Sequence, residues 1–260
     1  DTVWGEGLIY KLMKGGIKGK ILNWVRNYMS NRKIIVSVDG HFSDSISLNA
    51  GTAQGAVLSP LLFNLMLADI PSEEGITKHI YADDITITYS HNNIESVRTK
   101  LQKYLNLFVQ WAETYGVIIN PEKTFAQHYT RKRINCPIIR IKNKIIQYVK
   151  NQKLLGLIFD SPSLTWKPHI EYLKVDCTRR MNILKAMSSI TWGSSTKVLR
   201  RFYIAYIRAK INYGAVIYGS AAKTHLNKLN VIQNSCMRLI LGAFKTTPIL
   251  SLEIVTFAIT

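Results

Sequence analysis

His79-Ile80-Tyr81-Ala82-Asp83-Asp84-Ile85-Thr86-Ile87-Thr88-Tyr89 is the stretch that decides how this chain is read. Ile, Thr and Tyr favour strands, and a pair of acids between two such runs predicts a hairpin with the acids at its tip. Neighbouring side chains on a straight strand point to opposite faces, so adjacent carboxylates converge only where the chain bends. Convergence brings repulsion, which raises one of the two pKa values unless a cation lies between them. A hard divalent ion such as Mg²⁺ suits that place, because it takes oxygen ligands and bridges carboxylates to substrate phosphates. Taken alone, an Asp-Asp pair is more often a solvated turn. The surrounding sequence argues for the metal.

The chain has 260 residues, enough for one large or two modest domains with real cores, and its apolar share of 47% excludes a disordered protein. Cys136, Cys177 and Cys236 are far apart and form no CxxC pattern. Neither a zinc site nor a disulfide framework is expected, and a reducing compartment is the default. Polar residues break every long apolar run, so no signal peptide or membrane span is read and no membrane partner is expected. The net charge of +18 is lopsided: residues 1–130 carry 12 Lys/Arg and 12 Asp/Glu, residues 131–260 carry 22 and 4. A half-chain that basic, interleaved with Tyr, Trp and Phe, attracts polyanions by counterion release and offers rings for stacking. Nucleic acid is the expected partner.

Along the chain, residues 20–31 read as an amphipathic helix with Ile21, Trp24, Val25 and Tyr28 or Met29 on one stripe. A hairpin follows, turning at Asp39-Gly40. A glycine-bearing loop at 51–58 leads into Ser59-Pro60, an N-cap and first-turn pair for a buried helix over 61–70. A long helix is predicted over 94–115, with Val97, Leu101, Tyr104, Leu105, Phe108 and Trp111 or Ala112 in the core and Gly116 ending it. Short strands are read at 117–119, 124–130, 138–142, 145–149 and 154–159, with a turn at Asn143-Lys144. From Trp166 onward the pattern is helical. Over 195–209, Leu199, Phe202, Tyr203, Tyr206 and Ile207 form one face, and Lys197, Arg200, Arg201 and Arg208 the other. A further helix near 222–241 buries Leu229, Ile232, Cys236 and Leu239 or Ile240.

Several blocks carry a specific resemblance. Gln54-Gly55-Ala56-Val57-Leu58-Ser59-Pro60-Leu61-Leu62-Phe63-Asn64 resembles the PQGxxLSPLLFN block of non-LTR (LINE-type) retrotransposon reverse transcriptases, and Tyr81-Ala82-Asp83-Asp84 is similar to their YADD motif. Asn120-Pro121-Glu122-Lys123-Thr124 looks like their lysine-bearing fourth motif. Lys153-Leu154-Leu155-Gly156-Leu157 resembles the primer-grip strand, with Leu164 to Ile170 in its usual follow-on place. Residues 233–248 look like the thumb tail of insect-type members.

The resemblance implies an α+β fold: a polymerase palm with an antiparallel sheet and packed helices over 1–162, then a basic helical thumb over 163–260. It implies an RNA-directed DNA polymerase that extends a DNA primer on an RNA template from deoxynucleoside triphosphates, in the nucleus and cytoplasm. Asp83 and Asp84 would be the catalytic, Mg²⁺-holding pair of a two-metal site. Gln54, Gly55 and Lys123 would serve the nucleotide. Tyr81, Lys153, Leu155, Gly156, Arg200, Arg201, Arg208 and Lys210 would touch primer or template.

Three departures qualify this expectation. The family's motif A ends in a KAFDTV-like string, whose last letters match Asp1-Thr2-Val3, so its catalytic aspartate and the fingers would lie upstream and this piece alone would be inactive. Thr52-Ala53 replaces the usual Val-Pro, and Ala56 a common Ser. No endonuclease domain or Cys-rich knuckle is read. The alternative is a non-catalytic remnant acting as a basic nucleic-acid-binding module. An intron-encoded or telomerase-type polymerase shares the two acids but fits the tail poorly.

Overall fold

The acid-bearing stretch forms the expected antiparallel hairpin in the computed structural model, which describes residues 3–48, 50–53, 55–132, 135–189 and 191–258. The readings placed on Asp1, Thr2 and Gln54 lie outside the described residues. Helices and small antiparallel sheets, all two-stranded among the described residues, make the fold α+β. Contacts divide the chain into two units, Asp1–Thr124 with Asn135–Gln147, and Phe125–Ile134 with Tyr148–Thr260.

In the first unit, α1 (Gly5–Lys14) and α2 (Gly19–Met29) precede one interrupted hairpin. Here β1 (Arg32–Ile34) pairs with β4 (Ile46–Leu48), and β2 (Ser37–Val38) with β3 (His41–Phe42). Asp39 and Gly40 between them have φ of 49° and 82°, as a two-residue hairpin turn requires. On α2 the predicted stripe is off by one side: Leu22 and Val25 are buried, while Ile21 and Trp24 are exposed. The apolar surface of this helix is wider than one face, and Trp24 stacks on Tyr28 along its flank instead of entering the core.

The next helix, α3 (Ser59–Leu67), begins one residue before the Ser-Pro signal predicts. Ser59 is its first residue, not its cap, and Ser59 Oγ donates to the Ala53 carbonyl at 2.6 Å, closing the preceding loop. Leu62 and Met66 of α3 join Leu8, Ile9, Leu12, Leu22 and Val25 in one cluster. The acid-tipped hairpin, β5 (Thr77–Tyr81) with β6 (Asp84–Thr88), leads to α4 (Ile94–Thr114). The Asn93 side chain caps α4 by accepting from the Glu95 amide at 2.8 Å. Tyr104, Phe108, Trp111 and Ala112 of α4 are buried as predicted, whereas Val97 and Leu101, nearer its start, are only half-buried, and Ile85 and Ile87 of β6 pack on the cluster. One face of the hairpin is thereby anchored and its tip is left outside.

Lys11 ties α1 to the elements around it. Its side chain is only 7% exposed, and its ammonium donates to the Met66 carbonyl at 2.5 Å and pairs with Asp69. It also lies 3.5 Å from the centroid of the Tyr115 ring, and Trp111 Nε1 donates to Asp69 Oδ1 at 3.0 Å. Burial lowers the Lys11 pKa against the pull of Asp69. Burial acts to raise Asp69, but the bonds from Lys11 and Trp111 outweigh it and hold the carboxyl below its ordinary value.

Residues 117–119, predicted as a strand, carry no regular structure, and Pro121–Lys123 form a 3₁₀ turn. After β7 (Phe125–Ala126), which belongs to the second unit, β8 (Arg140–Ile141) and β9 (Lys144–Ile145) complete the first. Their turn is Lys142-Asn143, one residue earlier than predicted, with Lys142 at φ 53°. The chain passes through β10 (Gln147–Tyr148) to β11 (Asn151–Leu154) and β12 (Leu157–Asp160). The stretch 154–159, read as one strand, is thus broken by a hairpin turn: Leu155 and Gly156 have φ of 45° and 84° and reverse the chain.

Helices follow. The Asp160 carboxylate accepts from the Thr165 and Trp166 amides at 3.0 and 2.8 Å, holding the entry to α5 (Lys167–Met187). Next, α6 (Thr196–Phe202) runs through a π-helical stretch, Tyr203–Arg208, into α7 (Ala209–Asn212). Leu199, Tyr203, Ile207 and Ile211 are buried, one every four residues. That spacing drifts around an α-helix, and the wider π turn brings it back to one face. Tyr206, predicted on the buried face, is 40% exposed. The chain ends with α8 (Ala215–Tyr218), α9 (Lys223–Leu241) and α10 (Ile249–Ala258). Ile170, Leu173 and Cys177 of α5 meet Leu229, Ile232, Cys236 and Ile240 of α9 in the core of this unit.

Lys11→Met keeps most of the stem but removes both hydrogen bonds and the charge beside Asp69. It is expected to cost about 2–3 kcal/mol in denaturant unfolding. The pH dependence follows from Asp69, whose folded value is depressed. Its contribution is complete above the ordinary carboxylate range and is lost as pH falls through that lower value. In Lys11→Met the acid-unfolding midpoint, followed by circular dichroism, moves to higher pH.

Candidate functional site

Tyr81 pairs with Asp84, so Ala82 and Asp83 alone reverse the chain. Alternation along the strands puts Asp84 on the same face as Tyr81, His79 and Thr86, opposite the anchored isoleucines. Asp83 stands in the turn. Both carboxylates are exposed, and neither has a hydrogen bond or ion pair among the described residues. Ala82 has φ of 50°, a left-handed conformation that hairpin turns usually give to Gly, Asn or Asp. Two exposed, unpaired acids on one tip are hard oxygen donors of the kind Mg²⁺ takes, and that ion is commonly held by one or two carboxylates together with substrate phosphates. The donors therefore fit in kind. Among the described residues, no group of three His, Cys, Asp or Glu side chains is placed to hold a metal ion.

The other nucleotide-side candidates of the first unit stand as follows. Gly55 has φ of 85°, and a Cβ built there meets nothing within 4 Å. Its glycine answers to backbone conformation and not, within this chain, to close approach. Lys123 is exposed at the end of its 3₁₀ turn, which Asn120 caps by accepting from the Glu122 amide at 3.0 Å. No hydrogen bond or ion pair links Gly55 or Lys123 to the two aspartates among the described residues.

In the second unit, Leu155 and Gly156 form the tip of the β11–β12 hairpin, and Tyr213 Oη donates to the Leu155 carbonyl at 2.7 Å. Lys153 and Lys210 both place their ammonium groups by the Tyr172 ring, 5.1 and 5.5 Å from its centroid. A cleft of about 410 Å³ opens beside this tip, lined by Leu155, Gly156, Arg180, Tyr206, Lys210 and Tyr213 among others. Arg200 and Arg208 are less free than a solvated basic face implies. Arg200 Nε donates to the Thr256 carbonyl at 2.7 Å, and the Arg208 guanidinium lies 4.5 Å from the Phe257 ring centroid. Arg201 is exposed.

Tyr172, Arg180 and Tyr213 carry no signal of their own in the sequence, where an aromatic or a cation in a helical run reads as ordinary surface or core, and His169 enters it only inside the Leu164 to Ile170 block. His169 is buried; its Nδ1 accepts from the Ile158 amide at 3.3 Å, and its Nε2 is buried with no hydrogen-bond partner among the described residues. Burial, and then the charges of Lys210 and Lys153, push its pKa below that of an ordinary histidine.

Residues 1–176 match the family model for reverse transcriptase (RNA-dependent DNA polymerase), and the chain belongs to that family. Among curated proteins, it is 31% identical over 255 residues to the RNA-directed DNA polymerase from mobile element jockey of Drosophila funebris. It is 30% identical to the jockey counterpart of Drosophila melanogaster, and 30% identical to that fly's probable RNA-directed DNA polymerase from transposon BS. These matches cover 92–94% of this chain but 27% of each relative's length. The likeness to non-LTR retrotransposon enzymes drawn from the motif blocks is borne out. No helix of the described residues is long and apolar enough to cross a membrane.

Two expectations follow from the local geometry. Ala82→Val, which brings a β-branched side chain to positive φ, should lower stability by about 1–2 kcal/mol, whereas Ala82→Gly should be neutral or slightly stabilising. Urea unfolding of the three proteins checks this. His169 has a depressed folded pKa, so its contribution is complete above about pH 6.5, the unfolded value, and is lost as pH falls towards and through the lower folded one. Stability measured from pH 8 to 5 should fall more steeply in the parent than in His169→Gln.

Proposed function

We propose that this chain is the palm (residues 1–162) and thumb (residues 163–260) of a non-LTR retrotransposon reverse transcriptase. Such an enzyme extends a DNA primer on an RNA template with deoxynucleoside triphosphates, in the cytoplasm and nucleus. The observation that carries this reading is the pair of partner-free carboxylates at a hairpin tip in a chain of the reverse transcriptase family. When bound there, Mg²⁺ supplies activation of the primer 3′-hydroxyl and neutralisation of the triphosphate. Asp83, in the turn, is the more direct donor, and Asp84 supports it from the strand. Tyr81, exposed beside Asp84, packs near the primer terminus. Gln54 and Gly55 shape the loop facing the incoming nucleotide. Lys123 pairs with a phosphate or gives a proton to the departing pyrophosphate.

The main chain around Lys153, Leu155 and Gly156 holds the primer strand. Arg201 and Lys210 reach backbone phosphates, with Arg200 and Arg208 contributing from their places against α10. A two-metal site needs a further carboxylate, and among the described residues no third acid stands with this pair, so no primer extension is expected of the chain by itself.

The test is deoxynucleotide incorporation on poly(rA) with an oligo(dT) primer and Mg²⁺. It is run on the chain itself and on the D. funebris jockey enzyme with its matching residues replaced by this chain. The expected result is no extension by the chain, extension by the exchange protein, and loss of about a hundredfold or more with Asp83→Asn. Extension that survives Asp83→Asn refutes the assignment. An exchange protein that binds the hybrid but never extends favours the non-catalytic binding module instead.

A further inference from the structure

The Leu155-Gly156 turn is held by a residue 58 positions further along. Leu155 is a non-glycine residue at φ 45°, a backbone conformation that a Cβ disfavours, so the turn needs support from outside itself. Three contacts supply it, all within the second unit. Tyr213 Oη donates to the Leu155 carbonyl at 2.7 Å. The Tyr213 ring lies against Gly156, where a Cβ would come within 3.1 Å of Cε1. Gly214, at φ 71°, presses on the first residue of β12, since a Cβ there would be 2.7 Å from Leu157 Cδ2. Tyr213 is itself fixed by its amide, which donates to the Ala209 carbonyl at 3.0 Å at the end of α7.

The polarity of this turn follows. Its Leu155 carbonyl is occupied by the tyrosine hydroxyl, while the amides of Leu155 and Gly156 have no partner among the described residues. Consecutive free amides at positive φ make a small concave donor surface suited to an anionic oxygen. Lys210, on the same cleft, adds positive charge. We propose that Tyr213 is a positioning residue: it latches the Leu155-Gly156 turn so that donors, not the carbonyl, face a backbone phosphate of the bound strand. This rests on the strand-holding role given to that turn above. Tyr213 is 54% exposed, so the latch is separable from the core.

Tyr213→Phe removes the hydroxyl and keeps the ring. NMR order parameters of Leu155 and Gly156 in the 260-residue chain are expected to fall from about 0.85 towards 0.6, with an unchanged thermal midpoint. In the exchange protein, the KM for primer–template should rise about fivefold while kcat and the nucleotide KM stay constant. The decisive arm is Leu155→Asn, which makes the Asn-Gly pair that adopts this turn unaided. In that background, Tyr213→Phe should change the primer–template KM less than about twofold. Unchanged order parameters overturn the latch. So does an equal KM penalty in both backgrounds, or a mobile turn with no KM change. Failure of the function assignment shows separately, as extension that survives Asp83→Asn, and the order parameters then still decide the latch.

Discussion

Pairing between Tyr81 and Asp84 leaves two residues to reverse the chain, and this constraint organises the candidate site. If the strands slipped by one residue, every side chain on them would change face. Ile85 and Ile87 would leave the α4 cluster, and Asp84 would turn inward. Burial of the isoleucines therefore sets the register, and the register puts both carboxylates outside. Neither acid's side chain makes a hydrogen bond or ion pair among the described residues, so their placement is paid for by the packing beneath them. The left-handed Ala82 shows where the remaining strain sits.

The second unit repeats the device with different chemistry. Its hairpin also turns on two residues, and its tip is also exposed at a non-glycine position with positive φ. Here a helix end adds its support to that of the buried Leu157 and half-buried Phe159 of the strand. One tip offers acceptors and the other offers donors and lysines. The division suits a reaction that needs cations at one place and a held polyanion at another.

Much of this was legible from local pattern. The acid tip follows from period-two alternation around Asp83-Asp84, and the cores of α4 and α9 follow from helical spacing of large apolar residues. What escaped depends on partners distant in sequence or on unusual backbone. Lys11 reads as a surface lysine until Asp69, 58 residues away, is packed beside it. Residues 154–159 read as one strand because Leu154, Leu155, Leu157 and Ile158 are all apolar, and a single Gly did not outweigh them. Tyr206 falls on the exposed side because the π stretch changes the angular step between residues. Ile21 and Trp24 fail for another reason: an apolar residue reports what it can bury, not what covers it.

The acids of the second half have a consequence of their own. Of the four, Asp160 is bound to the Thr165 and Trp166 amides, Glu171 to Lys228, and Asp176 to Arg180 at 3.1 Å. Three of the four are thus committed to internal bonds, and among the described residues most of the cations around them have no ion pair. Their mutual repulsion works against compactness and falls as salt screens it. A bound strand would serve as the missing counterion, making the cohesion of these helices depend on the medium and on what lies against them.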